Sequence, residues 1–92
     1  MIKMTNQEII EKLYRLQILL KTKNPPIANA LERVTIPLLE YGMPLDSVSR
    51  EDVLKIKGVG KVTADLLMQI IHGKHFFEIA SSVPKMKKKA VL

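Results

Sequence analysis

The chain has 92 residues, 47% of them apolar and 26% charged, and no cysteine. That length fits one domain with one modest core. The composition excludes wholesale disorder, and the missing thiols exclude disulfides and thiolate metal sites.

The net charge is +6 and it is unevenly spread. Residues 1–52 carry seven Lys/Arg and seven Asp/Glu, whereas residues 53–92 carry eight Lys and only two acids, Asp65 and Glu78. A one-sided basic field suits a polyanionic partner, nucleic acid or an anionic surface. A lysine-rich surface also keeps a protein in solution, and charge alone does not separate the two readings. No apolar stretch approaches the roughly 20 residues of a membrane span. Glu8, Glu11 and Lys12 interrupt any hydrophobic run near the N-terminus, so no signal peptide is expected. These features predict a soluble, cytoplasmic protein without a membrane partner.

In chain order, Thr5-Asn6-Gln7-Glu8 has the form of a capping box. It predicts a helix from about Asn6 to Lys21, with Ile9, Leu13, Leu16 and Leu20 at helical spacing and Ile10 and Tyr14 beside them. Asn24-Pro25-Pro26 couples a side-chain cap to proline in a first turn, and predicts a second helix towards Tyr41. Pro37 lies inside it, which predicts a kink or break near Thr35-Ile36, and Gly42 is the expected stop. Ser49-Arg50-Glu51-Asp52 caps a short third helix, roughly Arg50 to Ile56. After a sharp turn at Gly58-Val59-Gly60, a fourth helix runs from about Lys61 to Ile71, with Val62, Leu66, Leu67 and Ile70 as core candidates and Gly73 closing it. His75 to Ser81 is a further short helix, and Pro84 onward reads as a mobile basic tail. The expected fold is all-α, four main helices plus a short fifth, with a domain over 1–83 and a tail over 84–92.

Residues 52–67 are the informative stretch. Leu54 and Ile56 before the turn, and Ala64 and Leu67 after it, are expected to face the core. The glycines open backbone angles closed to other residues and remove side chains that hold a ligand away from the main chain. The amides of Gly58, Gly60 and Lys61 then stand at a helix N-terminus, suited to a phosphate oxygen. Lys55, Lys57 and Lys61 surround them with charge, and Val59 at the tip packs against a groove edge or the partner helix. The alternative is that the glycines only permit a tight helix-to-helix turn.

This segment resembles a helix-hairpin-helix motif on Gly58, Val59, Gly60 and the small residue Ala64. The resemblance implies that hairpin amides hold the DNA backbone without reading bases. It also implies a monovalent cation, Na+ or K+, on the carbonyls of Leu54, Ile56 and Val59. From Asn6 to about Ala80 the chain further resembles the N-terminal domain of X-family DNA polymerases, whose polymerase beta branch carries deoxyribose-phosphate lyase activity. Ile9-Ile10, Leu13 and Leu16, Asn24-Pro25, Ala28 and Ala30, the hairpin and Gly73-Lys74 carry that likeness. No polymerase domain follows, so a free-standing version is expected.

The family's lyase nucleophile is a lysine six residues after the second hairpin glycine, and here that position is Leu66, which cannot form a Schiff base. The lysine and tyrosine of its 5′-phosphate pocket fall on Ile27 and Leu31, and a basic position early in the fourth helix falls on Val62. The resemblance therefore implies backbone binding without catalysis, and no cofactor beyond the hairpin cation.

The candidate DNA-binding residues are Lys55, Lys57, Gly58, Val59, Gly60, Lys61 and Thr63, with Lys85, Lys87, Lys88 and Lys89 of the tail as a phosphate-binding arm. Gapped, nicked or branched DNA in repair or replication is the expected setting, with a polymerase or nuclease as a possible protein partner. His72 and His75 alone do not compose a metal site. Asp65 and Glu78 read as solvated single acids. Phe76 and Phe77 cap a core or offer a base-stacking face. A second function class is a protein-interaction or self-association module using Leu38, Leu39 and Met43. A third is a lyase working through another lysine, Lys61 or Lys74.

Overall fold

Thr5 caps the first helix as its sequence requires: its hydroxyl accepts the Glu8 amide at 3.1 Å, while the Glu8 carboxylate accepts the Thr5 amide at 3.3 Å. This computed structural model describes residues 4–85. Among them are helices α1 (Asn6–Lys23), α2 (Pro25–Leu39), α3 (Arg50–Leu54), α4 (Lys61–Ile71) and α5 (Phe76–Ser82), one 3-10 turn at Leu45–Ser47, and no strand. The fold is all-α.

α1 buries Ile9, Leu13, Leu16 and Leu20, alternately four and three residues apart, so that they form one stripe. α2 answers with Ala28, Leu31, Val34 and Leu38. The two pack side by side along their length, joined at Asn24, whose amide closes α1 on the Leu20 carbonyl and whose side chain caps α2 through the Ile27 amide. α5 and α4 pack on other parts of α1, and α4 also touches α2. From α4 the core receives Ala64, Leu66, Leu67, Ile70 and Ile71, and from the α5 region Ile79, Ala80 and Val83. The Lys23 ammonium donates to the Ala80 carbonyl and the Asn24 amide group to the Pro84 carbonyl, tying the end of α5 to the α1–α2 corner.

Several expectations are corrected. Pro37 does not break α2, which continues to Leu39, because the proline stands in the last turn. There it deletes only the bond to the Arg33 carbonyl, and the Glu40 amide still closes the turn on Ile36 at 3.0 Å. α3 ends at Leu54 rather than Ile56, since the following amides make three-residue turns, Lys55 on Asp52 and Ile56 on Val53. Val53 is the fully buried residue of α3, while Leu54 and Ile56 are half-buried. Val62 is 53% exposed, and Thr63 beside it takes the inward position at 3%. Tyr14 projects into solvent, and Leu38 is core, so it is withdrawn from any docking surface.

The stretch between α2 and α3 gave no helical signal, yet Leu45 in it is fully buried. Asn6 pins that loop from the first turn of α1. Its amide group donates to the Met43 carbonyl at 2.8 Å, and its carbonyl accepts the Leu45 amide at 2.7 Å. Asn6→Ala leaves the buried Leu45 amide unpaired and is expected to cost about 1–3 kcal/mol, read by urea denaturation followed by circular dichroism.

Candidate nucleic-acid interface

The turn between α3 and α4 is built from short-range bonds. The Val59 amide donates to the Ile56 carbonyl at 3.1 Å, and the Ala64 amide to the Gly60 carbonyl at 2.9 Å. Gly58 is left-handed, with φ 86°, and a Cβ there would lie 3.7 Å from Val34 Cγ1. The hairpin therefore rests its back on α2. Val59 is half-buried against the core, and Lys57, Gly58, Gly60 and Lys61 face solvent.

Gly60 is different in kind from Gly58. Its φ of −97° and ψ of −178° are extended backbone open to any residue. A Cβ at this position would meet nothing within 4 Å. The expectation that both glycines supply backbone angles closed to other residues is thus corrected: that need belongs to Gly58 alone. Gly60 keeps clear the approach to the start of α4. Thr5, Asn24, Ser49 and His75 cap α1, α2, α3 and α5 with a side chain, but α4 has no side-chain cap. Among the described residues no hydrogen bond takes up the amides of Gly58, Gly60 or Lys61.

Lys55, Lys57 and Lys61 are all exposed, and no ion pair among the described residues engages them. They do not share one environment. Lys55 and Lys57 border an open hollow of about 490 Å³, with Tyr41 on its wall and the carboxylates of Glu40 and Asp52 beside them. Lys61 stands on the other side of the glycines, in the uncapped first turn of α4. Charges of both signs line the hollow. Asp65, expected to be solvated and single, accepts from Arg50 Nε at 2.7 Å and so cross-links the N-terminal turn of α3 to α4. Both partners are about half exposed, so the bond contributes at most about 1 kcal/mol, but it pairs the one acid of α4 with a cation.

Thr63 is removed from the candidate contacts, because its side chain is buried at 3% exposure. Lys85 is exposed, while Lys87, Lys88 and Lys89 lie outside the described residues. Of the three carbonyls expected to hold a cation, that of Ile56 already accepts the Val59 amide, and those of Leu54 and Val59 accept no hydrogen bond among the described residues. Leu66 is a core residue at 4% exposure, and Leu31 is fully buried. The resembling family's amine and phosphate-pocket positions are therefore occupied here by packing side chains. Phe76 is half-buried on the core, and Phe77 is 59% exposed, so the pair divides between the two roles expected of it.

No described helix is long and apolar enough to cross a membrane. Comparison with family models, curated proteins and solved structures yields no match to this chain.

The contrast between the two glycines has a measurable consequence. Gly58→Ala is expected to destabilise the fold by about 1–2 kcal/mol through its left-handed backbone. Gly60→Ala is expected to cost less than about 1 kcal/mol, the scale of a cap change. Paired urea melts of the two variants read the difference, and equal losses contradict the assignment.

Proposed function

We propose that this chain binds the DNA backbone through its helix-hairpin-helix, independently of sequence, with gapped, nicked or branched DNA in repair or replication as its setting. The observation that carries the reading is the start of α4: an uncapped helix N-terminus behind Gly60, with open space in front and Lys55, Lys57 and Lys61 exposed around it. Free amides at a helix N-terminus favour an anion, and lysines add affinity by releasing counterions from the phosphates. Contacts of this type place a protein on DNA without specifying bases. The Leu54, Ile56 and Val59 carbonyls would hold Na+ or K+ behind the hairpin, and Lys85 with the lysines at 87–89 would add an arm. The reading implies a cytoplasmic protein.

Catalysis is not part of the proposal. At Leu66 an aliphatic side chain stands in the core where the resembling family has its nucleophile. A lyase using Lys61 or Lys74 instead would leave a covalent adduct on an abasic substrate treated with borohydride, and none is expected.

A second reading, docking of a protein partner such as a polymerase or nuclease, or of another copy, is favoured by Ile36, Leu39 and Met43. These side chains are 66%, 61% and 62% exposed around the end of α2.

Fluorescence anisotropy with labelled duplex, gapped and branched DNA across a salt series separates the readings. Log affinity is expected to fall steeply with log salt. Replacing Lys55, Lys57 and Lys61 together by Gln is expected to make the slope shallower by about one for each phosphate left without its lysine. An affinity unchanged by the triple replacement overturns the hairpin as the DNA site and favours protein docking.

A further inference from the structure

The aromatic cluster at the far end of α4 is not used by the hairpin. His75 and Phe77 stack with ring centroids 5.2 Å apart and planes 16° from parallel. Phe76 closes the group, tilted against both, at 4.3 Å from His75 and 4.9 Å from Phe77. The cluster is held from two sides. Phe76 packs on the core, and His75 Nδ1 accepts the Phe77 amide at 3.2 Å. Phe77 is nonetheless 59% exposed, and His75 is exposed as well. A phenyl ring is thus fixed in orientation while much of its surface is left to water.

From this we infer that Phe77, backed by His75, is a stacking platform for an unpaired base of a nucleic acid strand. The inference rests on the nucleic-acid reading above and adds a ligand class to it. Its size decides between a base and a protein. Protein docking sites need contiguous apolar surface of several hundred Å². The residues around Phe77 in the chain, Lys74, His75, Glu78, Ser81 and Ser82, are polar and exposed, so no second exposed apolar side chain of this segment extends the ring. One ring suits one base, since every base has a π-face and stacking tolerates any sequence.

The placement specifies the substrate further. α4 runs from the hairpin at Lys61 to Ile71, eleven residues, and Lys74 and His75 follow directly. α4 itself is about 15 Å long, and Phe77 lies six residues beyond its end. α4 alone thus spans about four base-pair steps of a strand at ~3.4 Å each. The face of α4 towards solvent carries exposed Val62 and His72 and half-buried Gln69, with Asp65 paired to Arg50. No uncompensated acid stands on that path. A strand held by its phosphates at the hairpin and stacked by a base at Phe77 is paired at one end and unpaired at the other, as at a gap or a fork. Glu78 is the one adverse charge close to the platform in the chain, so Glu78→Gln is expected to tighten binding to unpaired strands.

The chain has no tryptophan, so Phe77→Trp in the full-length protein places a single indole reporter at the platform. The probes are an oligothymidylate, an abasic strand of the same length, and a blunt duplex, each also followed by anisotropy. Trp emission is expected to be quenched by the oligothymidylate and not by the abasic strand, although both bind through phosphates. Phe77→Ala and Phe77→Leu are expected to weaken oligothymidylate binding about 5- to 150-fold, leaving the abasic strand and the duplex unaffected. Phe77 is largely exposed, so circular dichroism of the variants is expected to match the parent. Equal oligothymidylate affinity for parent and variants, with binding intact, overturns the platform and leaves the hairpin reading standing. Absence of binding to every probe by the parent at low salt overturns both.

Discussion

The stripe of Ile9, Leu13, Leu16 and Leu20 on α1 is the surface on which the other helices assemble, and each of the four is at most 2% exposed. Most helical stability in proteins comes from packing of an amphipathic face, and α1 has its apolar stripe covered by α2, α4 and α5. Burying each such side chain is worth about 1.5–3 kcal/mol relative to leaving it exposed, most of it offset by chain ordering. α3, at five residues, has no independent stability. It is held by Val53 in the core, by the turn that follows and by the Arg50–Asp65 bond. The hairpin inherits its position from the same packing, because Gly58 lies against Val34 of α2 and Val59 against the core. A mobile loop would present its amides in many directions, whereas this turn presents them in one.

Charge is distributed unevenly along the chain. The first 52 residues are neutral in sum, and the whole excess lies in the part that carries the hairpin. The acids near the turn do not simply cancel its lysines. Asp65 is engaged by Arg50, whereas Glu40 and Asp52 sit in the hollow beside Lys55 and Lys57. Acids and lysines are thus mixed around the hollow, whereas Lys61 stands apart from it without an ion pair among the described residues.

Local signals in the sequence located the elements well. The capping box at Thr5, the Asn24-Pro25 start and Ser49 each open a helix where the residues predict, because a cap is a bond between neighbours in the chain. What was misread about burial depended on partners distant in the chain. Periodicity admits either Val62 or Thr63 as an inward residue of α4, and only the direction from which α1 and α2 approach selects Thr63. Leu38 and Leu39 are equally apolar, yet the first is core and the second is 61% exposed, for the same reason. Leu45 and the Asn6 clamp escaped notice since a single leucine in a polar loop has no period, and Asn6 acts across 37 to 39 residues. At the candidate interface the glycines and lysines were legible, but the distinction between Gly58 and Gly60 was not, being a matter of backbone angle and empty space.

That distinction bears on why a glycine stands at 60 at all. Neither φ nor packing demands it there, and Ser, Asn or Asp would cap α4 a few tenths of a kcal/mol better. A side-chain cap would, however, spend its oxygen on the second or third amide of the helix and place atoms where a phosphate would otherwise approach. A small loss of stability at that turn therefore keeps donors available, and at α1, α2, α3 and α5, where a side-chain cap is present, that loss is not incurred. Stability alone would fill position 60, and an external acceptor supplies a reason to leave it bare.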